Sequence, residues 1–105
     1  MSSEEVNLVA ILYPKPERAG ELSGLLAELT KKVLANEPDT LTYYAFSTKE
    51  NSEIIVVERN QAATQAHVKS SYFQEFAAKV PDLVVRPMEV KMGHQLASSE
   101  RVLRI

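Results

Sequence analysis

The chain has 105 residues, a net charge of −2, no cysteine and no run of Lys or Arg. That length suits one domain. The composition excludes thiol catalysis, thiolate metal sites and disulfides, and it offers no electrostatic footprint for nucleic acid or an anionic membrane.

The start, Met1-Ser2-Ser3-Glu4-Glu5, is acidic and leads into a short apolar stretch. A secretory leader needs a basic start and a longer apolar core, and a membrane span needs about 20 apolar residues. A cytoplasmic protein is therefore expected. Val6 to Tyr13 is rich in β-branched residues and reads as a first strand. Pro14 and Pro16 stop its ladder, and Pro16 suits the first turn of a following helix.

Between Glu17 and Asn36, Leu22, Leu26, Leu29 and Val33 recur at helical spacing, with Leu25 and Leu34 widening the stripe. Glu28 and Lys32 are placed to pair four apart on the wet side. Gly20 and Gly24 weaken this helix, and Pro38 ends it by disfavouring the α conformation at Glu37. Thr40 to Ser47 is a second strand, and Glu53 to Arg59 a third. The polar run 48–52 joins them as a hairpin.

Gln61 to Lys69 reads as a short helix, and Tyr72 to Val80 as a further one, with capping-box spacing between Ser71 and Gln74. Val84 to His94 is a fourth strand, in which Pro87 argues for an edge position or a bulge. The domain is read as residues 1–94. Residues 95–105 form a tail, whose apolar end Val102-Leu103-Arg104-Ile105 is suited to packing, with a partner subunit as one candidate surface. The fold class is α+β: a β-α-β-β-α-β order, the ferredoxin-like plan, with both helices on one face of an antiparallel sheet.

A sheet covered on one face should alternate apolar and polar residues. These strands do not: Leu8, Ala10 and Leu12 share one face of the first strand while Val9, Ile11 and Tyr13 share the other, and Ile54 to Val57 is apolar on both. Two apolar faces need two covers. A symmetric homodimer, sheet against sheet, supplies the second.

Several residues on this frame carry a likeness. Glu37-Pro38-Asp39 is similar to a Glu-Pro-Gly turn after a first helix, Tyr44 stands at an aromatic position, and Glu58 ends the third strand. Ala63, His67, Ser70 and Phe73 then run through the second helical region. Together they resemble the antibiotic-biosynthesis monooxygenase family. The resemblance implies a dimeric α+β barrel with a pocket between sheet and helices. It also implies oxidation of aromatic or quinol-like molecules by molecular oxygen without a metal or organic cofactor. Asn60 occupies a position where the family often has tryptophan, and the chain contains none. Haem degradation, which depends on an Asn, Trp and His set, is therefore not the expected activity.

The candidate catalytic residues are His67 and Tyr44. A histidine titrating near neutrality can take a phenolic proton, though His67 also reads as a packed histidine on an alanine-rich helix face. Tyr43 and Tyr44 lie on opposite faces of their strand, so one points to the helices and the other to the dimer side. Phe46, Phe73 and Phe76 are the candidate substrate-binding residues, as pocket wall or core. Glu58 is read as structural, bonding a neighbouring helix N-terminus. His67 and His94 are a poor metal signature, and Gly20, Gly24 and Gly93 form no phosphate loop. The expected function is a cofactor-free monooxygenase. The alternatives are a dimeric barrel that binds an apolar metabolite unchanged, and a purely structural dimer.

Overall fold

A computed structural model describes residues 6–48, 50, 52–60, 69–94 and 96. Strand β1, Val6–Pro14, is followed by a 3-10 turn at Pro16–Arg18 and helix α1, Ala19–Asn36. Strands β2, Thr40–Ser47, and β3, Ile54–Asn60, come next. Helix α2, Ser71–Lys79, a 3-10 turn at Val80–Asp82 and strand β4, Val84–Gly93, complete the set. The four strands form one antiparallel sheet in the order β2-β3-β1-β4, the expected ferredoxin-like α+β arrangement. The short helix expected between Gln61 and Lys69, with Ala63 and His67, and the tail 95–105 lie outside the described residues apart from Lys69 and Leu96.

Helix α1 buries the expected stripe of Leu22, Leu26, Leu29 and Val33. Leu34 is 63% exposed, one position beyond the arc that meets the sheet, so it does not widen the stripe. Glu28 pairs with Lys31 at 3.7 Å, three residues apart, rather than with Lys32. Glu37 closes the helix through its N–H to Val33 O at 2.9 Å and leaves the α conformation, which the following Pro38 disfavours. The first turn of α2 is capped one residue earlier than expected: Ser70, not Ser71, is the N-cap, and its Oγ accepts from Phe73 N at 3.3 Å.

The β2–β3 hairpin is closed by Thr48, whose N–H reaches Glu53 O at 2.9 Å and whose Oγ1 accepts from Glu53 N at 3.1 Å. β4 is an edge strand, and its ladder with β1 slips between Ile11 and Tyr13, which pair with Glu89 and Arg86. Three steps on β4 thus match two on β1, a bulge spanning Pro87. Pro87 is accommodated both ways its sequence position suggested, at an edge and in a bulge.

Period-2 alternation sorts the sheet into two faces. Leu12, Ala10, Ile54, Val56 and Tyr43 are buried beneath the helices. Val9, Ile11, Ile55 and Val57 are half-buried on the other face, and Tyr44 and Phe46 continue that face in register with Val57 and Ile55. Tyr44 is 50% and Phe46 48% exposed, and their rings stack with centroids 6.4 Å apart.

Candidate active site

The space between sheet and helices holds a cavity of about 300 Å³. Its floor is Leu8, Ala10, Leu12 and Val56 of the central strands. Leu26 and Leu29 of α1 and Phe73 and Phe76 of α2 form the cover. Met88, Val90 and Met92 of the edge strand β4 make the more exposed side. Phe73 and Phe76 pack with ring centroids 6.3 Å apart and a tilt of 41°. A broader groove of about 470 Å³ runs along the far side of Phe73, Phe76 and Met88 toward Arg86.

Among the described residues, two polar side chains interrupt this apolar lining, Tyr43 and Glu58. They stand directly opposite each other on β2 and β3, and Leu8 flanks Glu58 on its other side. Glu58 is 2% exposed. Its Oε2 accepts from Asn60 Nδ2 at 2.6 Å, a contact made possible because residues two apart on a strand share a face. Burial, and then the negative field of Glu58, push the Tyr43 hydroxyl well above the ordinary tyrosine range, so it stays protonated. Nearer the rim, Tyr72 donates to Glu37 Oε2, tying α2 to the end of α1. Burial and that hydrogen bond raise the Tyr72 pKa as well.

The sequence-derived candidates are therefore divided. Phe73 and Phe76 reach the cavity. Tyr44 and Phe46 do not project into it: strand pleating turns Tyr43 inward and sends Tyr44 and Phe46 to the opposite face of the sheet. His67 lies outside the described residues. His94 is exposed just beyond β4, and among the described residues no group of three His, Cys, Asp or Glu could hold a metal ion. Glu58 lines this cavity as its one described acid, and the neighbouring helix N-terminus that its structural reading calls for lies outside the described residues. The signal was present: Ile54, Val56, Glu58 and Asn60 fall on one period-2 face, so a buried strand carries its last two residues inward as polar groups.

The opposite face has its own polar features. Arg86 lies 3.8 Å over the Tyr13 ring, whose hydroxyl donates to Glu89. Asn7 Nδ2 is buried and has no acceptor among the described residues.

Residues 6–79 match the family model described as antibiotic biosynthesis monooxygenase. The chain belongs to the antibiotic biosynthesis monooxygenase family. An uncharacterized protein of Synechocystis is 35% identical over 81 residues, covering 74% of this chain and 54% of its own length. The chain thus spans about half of that curated relative. Among solved structures, Rv0793 from Mycobacterium tuberculosis superposes with a TM-score of 0.84 at 23% identity, covering 90% of this chain and 98% of that one. A candidate antibiotic biosynthesis monooxygenase from Caulobacter crescentus gives 0.82 at 24% identity, with 90% and 92% covered. At these identities the structural likeness establishes the shared fold. In this family member the cavity lies where the first sheet face meets both helices. No helix among the described residues is long and apolar enough to cross a membrane.

Proposed function

We propose that the protein is a cofactor-independent monooxygenase acting on an aromatic or quinol-like small molecule held between sheet and helices. The observation that carries this reading is an apolar cavity of about 300 Å³ with one acidic corner, in a member of a monooxygenase family. Pockets that bind small organic molecules are mostly apolar with a few fixed polar groups. Removing a proton from such a substrate leaves an electron-rich anion able to reduce oxygen itself. For an anthrone-type CH₂ group, one oxygen atom becomes the new carbonyl, and the other leaves as water with the two hydrogens.

His67 is the proposed base. Tyr43, the tyrosine on the cavity side, is proposed in place of Tyr44 to orient the substrate hydroxyl. It holds its proton, which suits a hydrogen-bond donor to substrate oxygen rather than a base. The other sheet face, with Val9, Ile11, Tyr44 and Phe46, is proposed to pack against a second copy, making the dimeric barrel.

The test is oxygen uptake by metal-stripped protein with anthrones, dihydroquinones and related phenols. Uptake above background is expected, falling on the order of 10²-fold or more in His67→Ala. Wild-type protein that binds these compounds without consuming oxygen would instead establish the second reading, a barrel that holds an apolar metabolite unchanged. The lining favours that alternative in one respect: among the described residues it contains no histidine or lysine beside Glu58.

A further inference from the structure

A carboxylate at 2% exposure among leucines, phenylalanines and methionines is costly to keep. Removing an unpaired charge from water costs several kcal/mol, and among the described residues no Lys, Arg or His forms an ion pair with Glu58. One compensating contact is present, the Asn60 amide on Oε2. Oε1 receives no hydrogen bond from any described residue. The contact fixes the rotation of the carboxylate, and Glu58 lines the cavity together with Tyr43, its partner across the strand pair.

We infer that Glu58 is the residue that selects the ligand, by accepting a hydrogen bond from an acidic hydroxyl at one end of a flat apolar molecule, with Asn60 holding the carboxylate in position. This rests on the reading of the cavity as the ligand site and narrows its ligand class. The body of the molecule lies between Phe73 and Phe76 above and Leu8 and Ala10 below, where it finds only apolar surface. Its hydroxyl is directed to the Tyr43–Glu58 corner, which holds the polar groups of the described lining. A site built around a buried acceptor discriminates strongly against an analogue that lacks the donor, because binding the analogue leaves the acceptor buried and unpaired.

The experiment compares 2-naphthol with 2-methoxynaphthalene by titration calorimetry on the full chain. Wild-type protein is expected to bind the naphthol at least about 10-fold more tightly. In Glu58→Gln, Asn60 retains the side-chain oxygen as its acceptor, so an NH₂ group faces the cavity, and the preference should shrink to within about 3-fold. Asn60→Leu keeps the carboxylate but frees its rotation and should give an intermediate preference. If Glu58→Gln does not fold, the wild-type preference and its weakening in Asn60→Leu decide the matter.

Equal affinity of wild-type protein for the two probes, binding of neither, or a preference retained in a folded Glu58→Gln variant overturns the inference. The monooxygenase reading fails separately: a hydroxyl preference lost in Glu58→Gln, without oxygen uptake by wild type, removes the catalysis and leaves Glu58 as the selecting residue.

Discussion

Asn60 Nδ2 and Glu58 Oε2 lie 2.6 Å apart on the cavity face of β3, an amide supporting a carboxylate from two residues along the same strand. A hydrogen bond to a charged group is worth about 1.5–3 kcal/mol, and breaking it here leaves a buried charge without its donor. Asn60→Leu should lower unfolding free energy by about 2–3 kcal/mol in urea titrations at pH 7. A loss below about 0.5 kcal/mol would mean that the contact contributes little.

Tyr43 makes stability depend on pH at the alkaline end. Its folded pKa is raised above the unfolded value of 10.0, chiefly by burial. Below pH 10 both states keep the proton and the contribution of Tyr43 is constant. Above it the unfolded chain ionises first and binds fewer protons, so stability falls as pH rises. The slope from this residue approaches about 1.4 kcal/mol per pH unit. Chemical denaturation at pH 9 and pH 11 should show a smaller loss in Tyr43→Phe than in wild type, while identical losses would remove Tyr43 as the source.

The cap of α2 distinguishes two neighbouring serines. Ser70 Oγ accepts from Phe73 N, whereas Ser71 is the first helical residue. Ser70→Ala should cost about 1 kcal/mol. Ser71→Ala should stay within about 0.5 kcal/mol, because a surface substitution away from a cap changes little. Paired denaturation curves showing the reverse ranking would move the cap.

Gly24 sits exposed inside α1, and a Cβ there would meet nothing within 4 Å. Gly24→Ala should therefore stabilise the protein by about 0.5–1 kcal/mol. The midpoint of thermal unfolding, measured at fixed protein concentration, should rise by several degrees. A fall would show that this helix face is covered by something that a methyl group disturbs.

The exposed Tyr44–Phe46 stack gives the proposed dimer a direct test. Light scattering at micromolar concentration should give twice the chain mass for wild type. Phe46→Lys places a charge in the middle of an apolar contact and should weaken association by about 10²-fold or more. A wild-type monomer would refute the sheet-to-sheet pairing.

Much of this molecule is legible in its sequence. Leu22, Leu26, Leu29 and Val33 define one face of α1 by their spacing alone. The strand stretches are marked by β-branched residues, and their double-sided apolar character already indicates a sheet with two faces to cover. These features are local or periodic, so the chain specifies them before any tertiary contact forms. The likeness through Glu37-Pro38-Asp39, Glu58 and Phe73 identifies the family for the same reason: it is a matter of order and spacing.

The composition of the candidate site was decided elsewhere. Pleating guarantees that Tyr43 and Tyr44 point opposite ways, but not which way each points. Only the pairing of Tyr43 with Glu58, on the side where the helices dock, turns Tyr43 inward and leaves Tyr44 and Phe46 outside. Glu58 reads from its sequence neighbours as a polar strand end, and becomes a buried acid only when α1 and α2 close over β3. The cap at Ser70 rather than Ser71 depends on where the backbone enters the helix. In each case the deciding interaction joins residues far apart in the chain, or turns on a register offset of one residue, and a local pattern carries neither.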